Sequence, residues 1–423
     1  MKKTSLVKLL AVLMSLAFVW ACGGSKSVQN TTVTNAANSV ALTVGPGTFA
    51  NGYSNAPYAT ITICQPGTTN CTSLDHILID TGSFGLRILA SELPSGFTLP
   101  TTASGSASLY ECLAFLDSYT WGNVVTGDLE LSGEKASSLP IQLITSGSAP
   151  TYCSNTLATA GSPQVDTEAS LGARGILGIG NLLADCGTYC TSVAQYDMYF
   201  ACTSAAGSSC SQVGVPVAQQ VANPVGLFAA DNNGVVIQLA SVPEGGVTSS
   251  SGTMYFGIGT QSDNTPPAGL TVLQLNNLLN FGTTFQSASL PDSFADTGSN
   301  GLFFGYLTNT TTLATNDGIT ACNLAASGQP AVYFYCPSSE LSETAQMAGG
   351  ANPSVTTTAS FNVGNANNLG GGAISDLAGP DTTTTPGYNT SFDWGLPFFF
   401  GRTVYVGVEG ASSSLGSGVY MAF

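Results

Sequence analysis

The heptapeptide Asp80–Leu86 reads DTGSFGL, and the heptapeptide Asp296–Leu302 repeats it as DTGSNGL. Each copy follows an apolar stretch, Ile77–Ile79 in the first case and Phe294–Ala295 in the second. Each copy therefore places one carboxylate at the end of a strand, on a tight turn that contains glycine. Two such turns can bring two aspartates face to face about a pseudo-twofold axis. A pair of carboxylates that shares one proton can activate water against an amide bond.

The composition indicates an all-β protein that works outside the cytoplasm. The chain has 423 residues, which is enough for two domains of ordinary size. Only 8% of the residues are charged, Gly occurs 50 times, and long stretches rich in Glu, Lys and Ala are absent, so many short strands joined by turns are expected. The net charge of −16 argues against nucleic acid and anionic lipid surfaces as partners, because both would repel it.

The N-terminus predicts a targeting segment. Residues 1–21 form a signal peptide with a basic start and an apolar stretch, Leu9–Val19, that is too short for a spanning helix. The residues around Cys22 resemble the lipobox of bacterial lipoproteins. The resemblance implies cleavage before Cys22, lipidation of its thiol, a flexible tether within residues 22–40, and, because Gly23 follows, anchoring at the outer membrane on its periplasmic or cell-surface face. An ordinary secretory leader with an unrelated cysteine is the alternative.

The remaining ten cysteines predict disulfide bonds, because an even number in an exported chain is typical of bridges. Two pairs are close enough in sequence to be local bridges: Cys64 with Cys71, and Cys322 with Cys336. The spacing of Cys186 and Cys190 does not predict a metal site, since no histidine lies near it. Connectivity beyond the two local pairs stays open.

Histidine is nearly absent, and this narrows the chemistry. His76 is the one histidine of the chain, so a Ser-His-Asp site, a Cys-His site and most zinc sites would depend on it. It lies four residues before Asp80 and is interpreted as a structural residue. No metal and no cofactor is predicted.

Strand patterns recur along the chain. Tyr58–Ile63 alternates apolar and polar residues, while Gly175–Gly180 and Met254–Ile258 are apolar runs with glycines. Trp121–Asn123 lies between two strand-like runs and is interpreted as a hairpin tip. Residues near 183–220 carry four cysteines and few strand signals, and are interpreted as a disulfide-stapled insertion.

These motifs together resemble the bilobal pepsin-like aspartic endopeptidases. Asp80–Ser83 and Asp296–Ser299 match the two catalytic motifs, and Ile176–Gly178 matches the strand that crosses beneath the first aspartate. The resemblance implies two β-barrel-like lobes related by a pseudo-twofold axis. Residues 41–262 would form the N-terminal lobe and residues 263–423 the C-terminal lobe. The chain also resembles an uncharacterised family of bacterial lipoproteins built on this plan.

The resemblance implies a role for each turn residue. Asp80 and Asp296 would hold the nucleophilic water between them. The serines would bond the outer carboxylate oxygens, the threonines would bond across the axis to the opposite lobe, and the glycines would leave room for the carboxylates to meet. These supporting residues are Thr81, Gly82, Ser83, Thr297, Gly298 and Ser299.

The chain departs from the family pattern at three places. Arg87 stands where the family usually has a tryptophan that contacts a flap tyrosine. Tyr119 and Trp121 are the flap candidates, although aromatic packing at a hairpin base is an equal alternative. The crossing strand of the second lobe is expected near Trp394–Pro397, where Leu-Pro replaces the family's Gly-Asp.

The sequence favours a membrane-anchored aspartic endopeptidase that takes a polypeptide into the cleft between its lobes. The alternative is a catalytically inert, lipid-anchored protein that binds a peptide or a glycan on the same fold. A third interpretation, a disulfide-stapled structural lipoprotein, leaves the repeated motif unexplained.

Overall fold

The computed structural model of the chain describes residues 37–46, 53–115, 118–153, 162–192, 198–204, 206–309, 314–315, 318–325, 331–381 and 390–423. Within these ranges, no helix has both the length and the apolar character needed to cross a bilayer. The predicted signal peptide, Cys22 and most of the tether lie outside the described residues.

Short strands are the main regular structure of the described chain. The strands of the first half are β1 (Ser39–Gly45), β2 (Ala56–Cys64), β3 (Cys71–Asp80), β4 (Phe84–Leu89), β5 (Ala103–Ser104), β6 (Ala107–Ala114), β7 (Tyr119–Leu131), β8 (Glu134–Ile144), β9 (Gly175–Ile179), β10 (Tyr199–Cys202), β11 (Cys210–Gln212), β12 (Gly234–Leu239) and β13 (Ser250–Phe256). Those of the second half are β14 (Val272–Gln274), β15 (Phe281–Phe285), β16 (Ala288–Ala295), β17 (Leu302–Asn309), β18 (Ala314–Thr315), β19 (Ala321–Asn323), β20 (Tyr333–Tyr335), β21 (Leu341–Ala348), β22 (Thr356–Val363), β23 (Ala378–Asp381), β24 (Asp393–Trp394), β25 (Thr403–Gly407), β26 (Ser412–Ser413), β27 (Gly416–Ser417) and β28 (Tyr420–Ala422). The helical segments are α1 (Glu168–Leu171) and single 3₁₀ turns at Ala90–Glu92, Gly187–Thr191, Gly207–Ser209, Val217–Gln219, Pro224–Leu227 and Leu396–Phe399.

The first lobe contains a closed barrel. Its strands follow the order β2-β3-β9-β4-β8-β7, and β7 pairs back onto β2. The alternating burial along β2 fits a strand with one face on the core. The last part of β3, Ile77–Asp80, is buried throughout and pairs over its whole length with the parallel strand β9.

The second lobe repeats the central part of this barrel as an open half-barrel, in the order β18-β17-β24-β16-β15-β21-β22 with β23 on β17. β24 runs parallel to β16 and antiparallel to β17, as β9 does to β3 and β4. In these registers Leu177 pairs with Ile79 and Leu86, and Trp394 pairs with Ala295 and Leu302. Leu177 and Trp394 therefore occupy equivalent positions.

A six-stranded sheet joins the two lobes in the order β1-β13-β12-β25-β28-β14. Three strands come from each half, and β12 meets β25 at the centre, where Val236 pairs with Tyr405. The sheet is symmetric: β1 corresponds to β14 at the two edges, β13 to β28 next to them, and β12 to β25 at the centre. This symmetry, with a barrel on one side and a half-barrel on the other, confirms the prediction of an all-β, bilobal pepsin-like fold.

The two lobes fill their cores differently. The core under the first motif is aliphatic, with Ile79 and Leu177 fully buried. The core under the second motif is a column of rings, in which Phe392 stacks on Phe304 with centroids 4.6 Å apart and on Trp394 at 4.1 Å. The backbone plan is thus repeated with different side chains, because volume and shape must match within each core and not between cores.

Five disulfides link the ten cysteines of the described chain. The two predicted local pairs are confirmed, and the others join Cys112 to Cys153, Cys186 to Cys190, and Cys202 to Cys210. Bridges of this number are typical of proteins that fold in the periplasm or outside the cell. The insertion near 183–220 is indeed stapled by two of them, but it also contains β10 and β11, which extend the sheet beyond β6.

The interpretation of Trp121–Asn123 as a hairpin tip is wrong. These residues lie inside β7, which begins at Tyr119, and the link from β6 comes before it, where the Phe115 N–H donates to the Ser118 carbonyl over 2.8 Å. Gly122 is required for strand packing and does not form a turn. A Cβ at Gly122 would lie 1.8 Å from the Leu143 carbonyl oxygen, so the glycine permits the close approach of β8.

Candidate functional site

Asp80 and Asp296 stand at equivalent ends of strands in the two lobes. Asp80 is the last residue of β3, and Asp296 directly follows β16. The crossing strand supports each position from behind. Asp80 pairs with Gly178 in the parallel register, and the Asp296 N–H donates to the Trp394 carbonyl over 3.1 Å. The strand ends therefore define where each carboxyl begins.

Each carboxyl is held by its own turn. The amide of the glycine two residues further on donates to Oδ1, over 2.8 Å in the first lobe and 2.7 Å in the second. The hydroxyl of the serine three residues further on donates to Oδ2, and this contact measures 2.9 Å in the second lobe. The residues concerned are Asp80, Gly82 and Ser83, and Asp296, Gly298 and Ser299.

The two turns are joined by a reciprocal set of hydrogen bonds between threonines. The Thr81 N–H donates to Thr297 Oγ1 and the Thr297 N–H donates to Thr81 Oγ1, each over 3.0 Å. Thr81 Oγ1 donates to the Ala295 carbonyl at 3.1 Å, and Thr297 Oγ1 donates to the Ile79 carbonyl at 2.7 Å. All four contacts cross between the lobes, so they fix the relative position of the two aspartates.

The glycines let each aspartate lie against the opposite turn. A Cβ at Gly82 would be 2.6 Å from Asp296 Cγ, and a Cβ at Gly298 would be 2.8 Å from Asp80 Oδ1. Real Cβ atoms do not approach carboxyl groups so closely. The structure therefore brings together the eight residues that the sequence assigned to the dyad and its support.

The two carboxyls behave as one acid–base unit. Burial raises the pKa of Asp296 well above its usual range, and the charge and hydrogen bond of Asp80 and the charge of Asp393 add to the rise, while the Ser299 hydroxyl opposes it. Asp80 is itself buried, with 6% of its surface exposed. Two carboxyls in contact cannot both ionise readily, because the negative charge on one opposes ionisation of the other.

Comparison with known proteins places the chain in a family. Residues 34–423 match the family model described as "Protein of unknown function (DUF3443)". The chain belongs to this family. No curated protein matched it in sequence. Similar solved structures include the crystal structure of aspartic proteinase from Irpex lacteus, with 15% identity, coverage of 92% of this chain and 97% of that chain, and a TM-score of 0.49.

The DUF3443 protein has a further aspartate beside the pair that sequence reasoning missed. Asp393 lies on β24, is 5% exposed, and contacts the Ser299 hydroxyl. Its signal in the sequence is an acidic residue within the apolar run Phe392–Phe400. The position of Asp393 beside the pair can be recognised from the sequence only once Gly395 has been identified as the glycine of the second crossing strand.

The position expected for that crossing strand needs a correction. The strand is Asp393–Trp394, and Leu396–Phe399 forms a 3₁₀ turn instead of continuing it. The crossing glycine is Gly395, whose Cβ would lie 2.1 Å from the Gly301 carbonyl oxygen, as tightly placed as Gly178 in the first lobe. Pro397 cannot donate to a central sheet, which ends the strand early.

Arg87, which stands in the place of the family's tryptophan, is fully buried in an ionic network of this DUF3443 protein. Its Nη2 donates to Glu111 Oε1 at 2.6 Å and to Asp185 Oδ2 at 2.9 Å, and the Tyr199 hydroxyl donates to Asp185 Oδ1 at 2.7 Å. Burial opposes the charge of Arg87, but Glu111 and Asp185 raise its pKa. Burial and Glu111 raise the pKa of Asp185 well above its usual range. These bonds join β4 to the β6–β7 hairpin through Glu111 and to the insertion through Asp185.

The two flap candidates lie on the β6–β7 hairpin, and both side chains are buried. Trp121 is fully buried, with its ring 5.2 Å from that of Tyr110 and 5.5 Å from that of Phe200, and Tyr119 packs in the same cluster. Phe115, at the turn of the hairpin, packs instead beside the barrel residues next to Asp80. A role for Tyr119 or Trp121 against a substrate stays a prediction.

The other candidate chemistries lie away from the dyad. His76 sits at a bulge between β2 and β3, with Nδ1 3.2 Å from Asp75 Oδ2 and its ring against Tyr58. Among the residues that the structure describes, no group of three His, Cys, Asp or Glu side chains could hold a metal ion. A shallow polar cavity of about 380 Å³ beside Leu183 and Glu409 includes neither aspartate.

Proposed function

We propose that this protein is an exported, membrane-anchored aspartic endopeptidase, which hydrolyses peptide bonds with a water activated between Asp80 and Asp296. The observation that carries the proposal is the reciprocal bonding of Thr81 and Thr297, which fixes two carboxyls against each other's turns. A binding protein has no need of two carboxyls held so that they share one proton. A hydrolase that acts without a covalent intermediate needs such a pair, because one carboxyl must accept a proton from water while the other donates one to the substrate.

The proposed reaction needs one base and one acid. Asp80 takes a proton from the water as the water oxygen attacks the carbonyl carbon of the scissile bond. Asp296, whose raised pKa favours the protonated form, gives its proton to the carbonyl oxygen. The tetrahedral product then collapses: the C–N bond breaks, the leaving nitrogen takes the proton held by Asp80, and one hydroxyl of the tetrahedral product returns a proton to Asp296 as the new C=O bond forms. Ser83 and Ser299 hold the outer oxygens in place throughout.

The substrate proposed for this site is a polypeptide that lies in the cleft between the lobes. The β6–β7 hairpin supports this, because Phe115, which follows β6, packs against the buried cluster that includes Leu78 of the strand that ends in Asp80. The network around Arg87 anchors the base of the same hairpin. The hairpin would therefore cover an extended peptide while its base stays fixed.

Anchoring through Cys22 is a separate part of the proposal. Replacement by serine, Cys22→Ser, removes the thiol that would be lipidated. We expect the parent protein to incorporate radiolabelled palmitate and to fractionate with the outer membrane, and the variant to do neither. Equal membrane association of both proteins would contradict lipid anchoring at this residue.

The first prediction tests peptide hydrolysis directly. The purified protein is incubated with a denatured-protein digest across roughly pH 3 to 7, the range in which a shared-proton dyad acts. We expect cleavage that Asp80→Asn and Asp296→Asn each reduce at least about 100-fold, since each removes an acid–base group. Mass spectrometry of the products measures the rates and the cut sites.

Asp292→Asn is the matched control, because it removes a carboxylate from β16 without altering the dyad. It should cleave like the parent protein. Absence of cleavage by the folded parent at every pH, with a peptide or glycan still bound, would favour the binding protein instead.

A further inference from the structure

Asp393 brings a third carboxyl to the site. It lies on β24, between Phe294 of β16 and Phe303 of β17 in the strand registers. Its Oδ1 is buried and has no hydrogen-bond partner among the described residues. The first lobe has Ile176 at the equivalent register position. An acid therefore replaces an aliphatic side chain on one side of the pseudo-twofold axis.

The Ser299 hydroxyl connects this third carboxyl to the dyad. Ser299 Oγ lies 2.9 Å from Asp296 Oδ2 and also contacts the Asp393 carboxyl. A hydroxyl has one proton to donate, so it cannot donate to both carboxyls. Because Ser299 donates that proton to Asp296, Asp393 can bond Ser299 Oγ only by donating a proton of its own. In the first lobe Ser83 bonds Asp80, with Ile176 in place of a second acid.

The surroundings of Asp393 favour its neutral form. An ionised carboxylate with one bare, buried oxygen is costly, whereas a carboxylic acid tolerates an unpaired carbonyl oxygen better. Burial raises the pKa of Asp393 well above its usual range, the Ser299 contact opposes the rise, and Asp381 of β23 and Asp80 add to it. The titratable groups that face Asp393 are therefore Asp381, Asp80 and Asp296, all of them acidic.

We propose that Asp393 is a positioning residue that acts through Ser299 and turns the dyad into a unit of three carboxyls. In this unit the dyad keeps its shared proton to a higher pH than two aspartates alone would. The inference rests on the proposed function only in giving that proton a catalytic use. Its physical reason is coupled ionisation: once one carboxyl of the unit ionises as pH rises, its negative charge opposes loss of the proton that remains on another. The working range of the site would thereby extend towards neutral pH.

The test compares proton retention with and without Asp393→Asn, which keeps the shape of the side chain and can still donate to Ser299. The full-length protein in detergent is unfolded with urea at intervals between pH 4 and 9, as parent, Asp296→Asn, Asp393→Asn and the double variant. The stability difference caused by Asp296→Asn, plotted against pH, has a midpoint where the dyad loses its proton. We expect this midpoint to fall by about one pH unit in the Asp393→Asn background.

The same shift is expected in the basic limb of the cleavage profile, whereas Asp292→Asn should move neither. Equal midpoints in the two backgrounds would overturn the inference and leave Asp393 a purely structural acid. If Asp393→Asn fails to fold, Asp393→Ile, which copies the first lobe, replaces it with the same expected direction. A midpoint that moves in a protein without any cleavage would refute the proposed function and retain the inference.

Discussion

Thr81 and Thr297 each use both hydrogen-bonding capacities of one hydroxyl to join the lobes. Each accepts a backbone N–H from the other lobe and donates to a carbonyl there. Both hydroxyls lie in residues that are at least nine-tenths buried. Identical local sequences therefore produce a symmetric clamp, while the carboxyls that the clamp aligns differ, because Asp393 lies beside one of them only.

Removing one hydroxyl of this clamp should weaken the whole molecule. Thr81→Ala leaves the Thr297 N–H and the Ala295 carbonyl without their partners, and each buried unsatisfied group costs about 1–3 kcal/mol. We expect a loss of about 3 kcal/mol in the free energy of unfolding, measured with urea, together with loss of cleavage. Thr81→Ser keeps the hydroxyl and serves as the control. Equal stability of the two variants would show that the cross-lobe bonds do not hold the lobes.

At the scale of elements, the ionic network of Arg87 connects β4, the strand that follows the first aspartate, with the β6–β7 hairpin. Arg87 lies on β4, Glu111 on β6, and Asp185 in the insertion. One cation faces two carboxyls, and burial together with the charge of Glu111 raises the pKa of Asp185 well above its usual range. These three elements are thus held together by charges whose partners are distant in sequence.

Arg87→Met should destabilise the protein by about 4 kcal/mol, because it leaves buried carboxyls without a counter-charge. The loss should be larger at pH 8 than at pH 5, since Asp185, whose pKa is raised by burial and by Glu111, can become neutral at the lower pH. Urea unfolding of the parent protein and of the variant at pH 5 and at pH 8 measures this loss of stability. The triple variant Arg87→Met, Glu111→Gln, Asp185→Asn removes every charge and should recover part of the stability. A pH-independent loss would argue for a packing defect instead of unpaired charge.

The whole molecule carries an excess of acid, and several of its carboxyls lie where protonation stabilises the fold. Burial, with Asp231, raises the pKa of Glu134 to about 7, and a hydrogen bond to Glu244, with burial, raises that of Glu340 to about 7. Asp128 acts in the opposite direction: although burial opposes it, the amides of Ser138 and Gly67 lower its pKa. The raised groups are more numerous among the described carboxyls.

The stability of the protein should therefore decrease as pH rises. A group whose pKa is raised in the folded state contributes stability below its unfolded value, and this contribution is lost as pH rises through the folded value. For Glu134 that interval lies between about 4.5 and about 7. We expect the free energy of unfolding to be lower at pH 8 than at pH 5 by on the order of 2 kcal/mol. Glu134→Gln should reduce the change in the free energy of unfolding between pH 5 and pH 8. A parent protein that is more stable at pH 8 than at pH 5 would contradict the prediction.

Much of the fold and the centre of the site follow from local patterns. The strands that end in each aspartate, the turn residues that hold each carboxyl, and the local bridges of Cys64 with Cys71 and Cys322 with Cys336 all depend on residues close in sequence. Repetition of one heptapeptide then predicts the symmetric pairing, because two equal turns can meet about one axis. The membrane anchor at Cys22 stays a prediction from the sequence.

The sequence by itself determined the two turns and the all-β architecture, because hydrophobic alternation and turn chemistry act over a few residues. Tertiary structure decided which distant groups meet: Glu111 and Asp185 with Arg87, and Asp393 with Ser299. It also decided that Gly122 serves strand packing and not a turn. The physical reason is that burial and electrostatic partnership depend on distances in space, and one strand register sets those distances for residues far apart in sequence.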